Sequence, residues 1–391
     1  MLKYISSFCI SKHVIFSKRI FIAVFFFFSL FNFLSSQTIT YDTWEKFSIA
    51  SQMPAEVHLQ NSNNNLDLVK FKNRFYVAFR TAPTHFASPK TTLYVVSSTD
   101  YKKWEFEYEL NVQADIREPR FAIWNDSLYL YCFKGGTKKF RFEPQELLVT
   151  STSEGKSWIP ASSVQLDGYV PWRLRIHNNE LLLSAYYGKD LYNNKHQSDL
   201  RLFKSTDARH FKPISKEPQI NVKTAEEGEF IFDSTGTLYA VVRLEGYGAL
   251  VCKADKDSID KWHFVKTKHK YDSSLLFEHK NDIYLIARRN LDGPCDRSAE
   301  GHKPHRAYNL VRYSLTKKRT ALYKLDKATL SFTSVLDFPS TGDCSFAGIQ
   351  KLTDTDYLIM NYSNDISHKE KIWLRGQFGK TYLYQSVLHI K

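Results

Sequence analysis

Helical patterning is missing from this chain. No stretch carries an apolar stripe over three helical turns, which argues against a helix bundle or an alternating strand–helix fold. Clustered charge is missing as well. The 54 Lys and Arg of the 391 residues are spread out with no basic block, so sequence-specific nucleic-acid recognition is not expected. Cysteine is scarce. Of five, Cys9 lies in an apolar leader, and Cys132, Cys252, Cys295 and Cys344 lack zinc-ligand spacing. They permit three pairings; loop positions favour Cys295 with Cys344, and four free thiols is the alternative. The histidines of GHKPHR, residues 301–306, have no carboxylate or Cys at ligand spacing and read as an exposed loop. No metal and no other cofactor is expected.

Acidic residues are absent from residues 1–36. There SKR precedes the apolar run Ile20–Leu34 and then SSQ, the order of a secretory signal. The run is short for a bilayer span, which takes roughly 20 residues. The expectation is export, with a mature chain starting within a few residues of Gln37; an uncleaved membrane anchor is the alternative. Losing Lys3, Lys12, Lys18 and Arg19 would lower the net charge from +13 to +9.

What is abundant is aromatic. Twenty-nine Phe and twenty-three Tyr favour strands, where flat side chains fill a pleated surface. Short words ending on an aromatic recur: SSTDYKKW closes at Trp104, STSEGKSW at Trp158, KSTDARHF at Phe211 and KADKDSIDKW at Trp262, at intervals of 54, 53 and 51. Upstream of such words lie hairpins, six in all, over 66–80, 120–133, 173–187, 229–243, 274–288 and 346–362, with polar apices such as KN, ND, NN and TG. Six units of about 50 residues, each of four antiparallel strands, predict an all-β, six-bladed propeller over 37–391 as one domain. The final segment, residues 381–391, should help close the ring.

In each hairpin the residue opening the first strand and the one closing the second share an end, and in a propeller those ends face the central channel. They are Arg80; Arg117 and Glu118; Trp172, Arg173 and Tyr187; Glu227, Glu229 and Arg243; Asp272, Arg288 and Arg289; and Asp343 and Tyr362. Arginines on rigid strand ends can grip a carboxylate in bidentate fashion, and aromatic faces suit a sugar ring.

The word at Ser151–Trp158 has the spacing of an Asp box, with Ser153 in the Asp place, and with the hairpins and GDCSFAGI it makes the chain resemble the sialidase superfamily of BNR-repeat propellers. That resemblance implies glycoside hydrolysis of the exo-sialidase type, performed by a monomer on a polar or acidic glycan. It assigns Glu227 and Arg243 to the activating glutamate and one carboxylate-binding arginine, and Arg80 to another. The third falls to Arg288, Arg289 or Arg306. It also places His85 where an aspartate acid/base stands and Phe346 where the tyrosine nucleophile stands. Phenylalanine cannot attack, so a water-based reaction is expected, with His85 as general acid and Glu118, Glu227 or Asp343 as base. The alternative is a glycan- or protein-binding propeller without chemistry. Glu227 is expected to be held ionised between arginines, and Arg243 to be removable without unfolding. Asn125 and Asn361 stand in glycosylation sequons.

Overall fold

A computed structural model describes residues 37–49, 51–188, 199–296 and 306–391. The expected leader lies outside them, as does GHKPHR apart from Arg306. No helix among the described residues is long and apolar enough to cross a membrane.

The chain forms six antiparallel sheets around a channel. Their first strands are β3 (Ser62–Phe71), β7 (Ile116–Trp124), β11 (Tyr169–His177), β15 (Ala225–Phe232), β19 (Asp272–His279) and β23 (Ser345–Lys351). Each of these packs against the next, and β23 returns to β3 to complete the ring. Five sheets continue through three consecutive strands of the chain. The sixth borrows its outer edge. β25 (Thr381–Ile390) pairs with β24 (Asp356–Asn364) on one side and with β1 (Ile39–Tyr41) on the other, in the register Ile39↔Ile390 and Tyr41↔Leu388. The first described strand and the C-terminal segment thus share one blade, and 381–391 is the closing segment.

Branched and aromatic side chains form these strands because alternate positions fill the spaces between sheets. Phe79, Leu66, Trp172, Phe230 and Leu383 are wholly buried in the largest cluster. The recurring words are turns closed on themselves. Asp100 Oδ1 accepts hydrogen bonds from the backbone N–H of Lys102 and Lys103 and from Ser98 Oγ, all at 2.9 Å. Asp207 Oδ1 does the same with Arg209 and His210 N–H, at 2.9 and 2.8 Å, and with Ser205 Oγ. At Ser151–Trp158 the task moves to Thr152, whose Oγ1 accepts the Gly155 N–H at 2.9 Å, and Trp158 stacks on Tyr108 in the preceding blade. A further turn of this kind, around Asp326, carried no aromatic signal.

Two expectations are corrected. All four cysteines are free and buried. Burial pushes the Cys132 and Cys295 thiols up to about 12. Asn361 lies wholly buried in β24, so its sequon is closed in the folded protein, whereas Asn125 sits exposed at a hairpin apex. Among the described residues two helices, each shorter than three turns, lie between the sheets: α1 (Arg306–Ser314) and α2 (Trp373–Phe378).

Asp207→Ala should cost about 1 kcal/mol and lower the melting midpoint by about 2 °C, with ligand binding unchanged. An unaltered midpoint in thermal denaturation would remove this turn from the interactions that stabilise the blade.

Candidate functional site

Each first strand carries a β-bulge near its start, at Asn64/Leu66, Arg117/Arg120, Pro171/Arg173, Glu226/Glu229, Asp272/Leu275 and Ser345/Gly348. In five of the six the extra residue is left-handed: Asn65 (φ 45°), Glu118 (54°), Glu227 (49°), Ser273 (55°) and Phe346 (50°). A bulge re-aims a side chain out of the regular alternation. These five line a common cavity of about 600 Å³ at one end of the channel. The bulge of the third blade has no left-handed residue, and Trp172 there is buried beneath the cavity against Phe346 (ring centroids 5.5 Å) and Arg120. Gly228 follows Glu227 because a Cβ there would meet Leu200 Cδ1 at 2.4 Å.

Arg80 does not reach the cavity. It is fully buried, its Nη2 donating to Asp115 Oδ1 at 2.7 Å and to the Phe86 carbonyl at 3.0 Å. Asp115 also accepts from Arg117 Nε, and Arg117 Nη2 donates to the His85 carbonyl at 2.7 Å. Both arginines therefore anchor the loop that bears His85, and Arg117 additionally lines the cavity.

His85 Nδ1 lies 2.7 Å from Asp343 Oδ2. Asp343 is sealed beneath it, accepting from Tyr362 Oη at 2.9 Å while its own N–H donates to Asn364 Oδ1 at 2.8 Å. Burial lowers the imidazole pKa although Asp343 opposes it. The Asp343 carboxyl stays below the usual range despite burial, because His85, Arg288 and Tyr362 stabilise its charge. A neutral ring beside a carboxylate places its proton on Nδ1, leaving the Nε2 lone pair unshared with any described protein group.

Glu118 has the opposite shift. Burial, reinforced by the charge of Glu227 and resisted by Arg120, pushes its carboxyl up to about 7. Asn65 Nδ2 donates to its Oε1 at 3.3 Å.

The remaining wall is a charge cluster around Arg243. Its guanidinium meets Glu227 Oε1 at 2.5 Å, Glu226 Oε2 at 2.8 Å, Asp272 Oδ1 at 3.3 Å and Glu245 Oε2 at 3.5 Å. Lys270 bridges Glu245 (2.7 Å) and Asp272 (3.3 Å), and Tyr313 of α1 donates to Asp272. Arg288 spends its donors on the Cys344 carbonyl (2.8 Å) and Tyr362 Oη (3.2 Å). Glu227 accepts the Ser273 N–H at 2.8 Å, yet its pKa is raised, because burial and the nearby Asp272 charge outweigh Arg243 and Arg288. Arg243 pairs with Glu227 as expected, but burial shifts the carboxyl upward rather than leaving it to the arginine alone.

The structure brings His85, Arg117, Glu118, Glu227, Arg243 and Arg288 together on the cavity wall and sets Asp343 and Tyr362 directly behind it. Arg173 lies deeper, bound to Glu229 at 2.6 Å, with Arg175 on the same carboxylate at 3.0 Å. Tyr187 packs on Tyr169 away from the cavity, and its neighbour Tyr186 lines it instead. Arg289 pairs with Asp337, and Arg306 lies at Gly246, so Arg288 is the arginine of the fifth blade that faces the cavity. Sequence reasoning missed Asn65, Asp115, Glu226, Glu245, Lys270, Ser273 and Trp373. Asn65 and Ser273 occupy the same hairpin-opening position as Glu118 and could have been found by it. Trp373 arrives on α2, outside the repeat, and had no signal.

Arg243→Ala leaves four buried carboxylates facing one another. We expect a loss of about 3–5 kcal/mol, the range for breaking a buried ion pair, measured by urea denaturation. This replaces the expectation that Arg243 can be removed without loss of stability. A variant with unchanged stability would show that Lys270 and Arg288 suffice to hold the cluster.

No family model matches the sequence, and no curated protein matches it. Solved structures do. The chain is similar to the Trypanosoma rangeli sialidase in complex with sialic acid, at 12% identity and a TM-score of 0.59 over 90% of this chain and 58% of that one. The same sialidase with 2,3-difluorosialic acid, titled a covalent intermediate, gives 11% identity and a TM-score of 0.58 over 90% and 58%. Without a named ligand it gives 12% and 0.58 over 90% and 60%. The chain spans just under three fifths of the length of the first of these. The fold is that of a sialidase-like six-bladed propeller.

Proposed function

We propose that this sialidase-like propeller is an exported glycan-acting protein, with 37–391 as the mature domain, and that its cavity hydrolyses a glycosidic bond without a covalent intermediate. The observation that carries the reading is the pairing, in one cavity, of a His85–Asp343 dyad with an open Nε2 and a Glu118 carboxyl that holds its proton near neutrality. Groups whose environments push their pKa values apart divide into acid and base.

Glu118 is the proton donor to the departing glycosidic oxygen. His85 Nε2 takes a proton from water as the water attacks the anomeric carbon, and Asp343 stabilises the imidazolium that forms. This exchanges the roles assigned from sequence, where His85 was the acid. Asp343 cannot itself serve as base, since it is fully buried behind the ring. Glu227, bound to Arg243 and the Ser273 N–H, is suited to accept a sugar hydroxyl. Arg243 and Arg288 are already matched by protein acceptors. A neutral sugar unit therefore fits the cavity better than one selected through its carboxylate.

The second reading, a glycan-binding propeller without turnover, is favoured by Phe346 at the place of the nucleophile. A panel of chromogenic glycosides, a sialoside included, beside a glycan array separates the two. Binding with no release of chromophore selects the second; neither binding nor release rejects both.

If the first holds, Glu118→Gln should lower kcat by about 10²–10⁴-fold. The pH profile should be bell-shaped. Its alkaline limb falls as Glu118 loses its proton near pH 7. Its acid limb lies below the ordinary histidine value of about 6.5, because the His85 pKa is lowered. An alkaline limb that persists unchanged in Glu118→Gln would remove Glu118 as the acid.

A further inference from the structure

The cavity is internally balanced in charge, but its rim is not. Residues 134–141 and 371–380 hold Lys134, Lys138, Lys139, Arg141, Lys371, Arg375 and Lys380 and not one carboxylate. The first segment is the loop leaving β8 (Ser127–Lys134), and the second contains α2. Lys134 is paired with Glu146 and Arg141 with Glu143. Among the described residues, Lys138, Lys139, Arg375 and Lys380 form no ion pair, and all are exposed.

The two segments meet. Phe86 lies 5.1 Å from Phe140 and 5.0 Å from Phe378 between ring centroids, and Lys139 Nζ stands over both outer rings at 5.4 and 6.0 Å. Phe140 is 74% exposed and Phe378 55%. Aromatic rings this exposed beside unpaired cations offer a stacking face and an anion site side by side. The patch is continuous with the cavity, whose wall includes Phe86, Lys139, Phe140 and Arg141.

We infer that this rim binds an anionic polysaccharide, sulfated or uronate-bearing, whose terminal or branch sugar enters the cavity. Lys138, Lys139 and Arg375 meet the acidic groups, and Phe140 and Phe378 stack on the sugar rings between them. Selection by charge then takes place outside the cavity, and selection by shape and hydroxyl pattern inside it. The occupant is assigned as a polymer because two exposed rings, joined through Phe86 and flanked by cations, match alternating sugar faces and acidic groups. The inference rests on the glycan reading of the cavity.

The experiment measures binding of the full chain to dextran sulfate, polygalacturonate, neutral dextran and phosphatidylglycerol vesicles. A rim variant, Lys138→Ala/Lys139→Ala/Arg375→Ala, is compared with a charge-matched variant on the fourth blade, Lys253→Ala/Lys256→Ala/Lys266→Ala. Phe140→Ala is the third arm. Wild type should bind one or both polyanions and not dextran, and the stronger of the two identifies sulfate or carboxylate. The rim variant should weaken that binding by about tenfold, the scale of three rim charges, and flatten its salt dependence. Phe140→Ala should weaken it with the salt dependence unchanged. The fourth-blade variant should bind as wild type does.

Equal losses in the two triple variants would reduce the effect to overall basicity and overturn the proposal. So would binding to vesicles with none to either polymer. Polyanion binding that persists in Glu118→Gln while glycoside turnover is lost supports the rim and the cavity as separate parts. If no glycoside binds or turns over in the cavity, rim binding that passes these controls still stands as polymer binding, and only the cavity reading falls.

Discussion

A left-handed residue in a β-strand costs on the order of 1 kcal/mol or more for a side chain other than glycine. The ring bears that cost in five of its six blades, at the same point of the first strand. The aim of five cavity side chains follows from it. A regular strand sends alternate side chains into the two neighbouring inter-blade layers. The bulge turns Asn65, Glu118, Glu227, Ser273 and Phe346 toward the axis instead. The third blade, which lacks the left-handed residue, supplies Trp172 as packing beneath the cavity. The strain is held by what surrounds it: the ladders resume within three residues on the far side of each bulge.

With acids and bases gathered around one axis, electrostatics decides which of them remain available. Arg243 is consumed by four carboxylates, Arg288 by a carbonyl and a phenol, and Arg80 by the loop it anchors. The imidazole of His85 and the carboxyl of Glu118 keep unspent capacity and are moved in opposite directions by burial and their neighbours. A guanidinium on a strand end is therefore no sign of a ligand by itself. Its partners on the adjoining blades decide.

The blades were legible because their signals are local and repeated. Period, hairpin apex and Asp-box turn each involve residues a few positions apart, and even the closing segment could be assigned. The strand-end rule reached Glu118, Glu227, Arg243 and Arg288 for the same reason. It failed where depth along the strand matters. Arg173 and Tyr187 have the right position in the hairpin, but the irregular start of β11 sends one below the cavity and the other away from it. Lys270 and Glu245 are missed because their role is set by a partner in the neighbouring blade, and Trp373 because it rides on an insertion. The pairing of Cys295 with Cys344 was inferred from both lying in loops, which says nothing of distance.

Below the cavity, Asp67, Arg173, Glu229 and Arg175 are joined across the channel, with Arg173 Nη1 at 3.6 Å from Asp67 and the two arginines sharing Glu229. Arg175 continues to the carbonyls of Phe230 and Leu276, and beyond it the far opening is lined by Val69, Phe121, Leu174, Ile231 and Phe232. The channel is therefore stoppered by ion pairs and floored by hydrocarbon. A chain cannot thread through such a passage. Whatever enters must leave by the opening it came in through, and the water it displaces must take that same route.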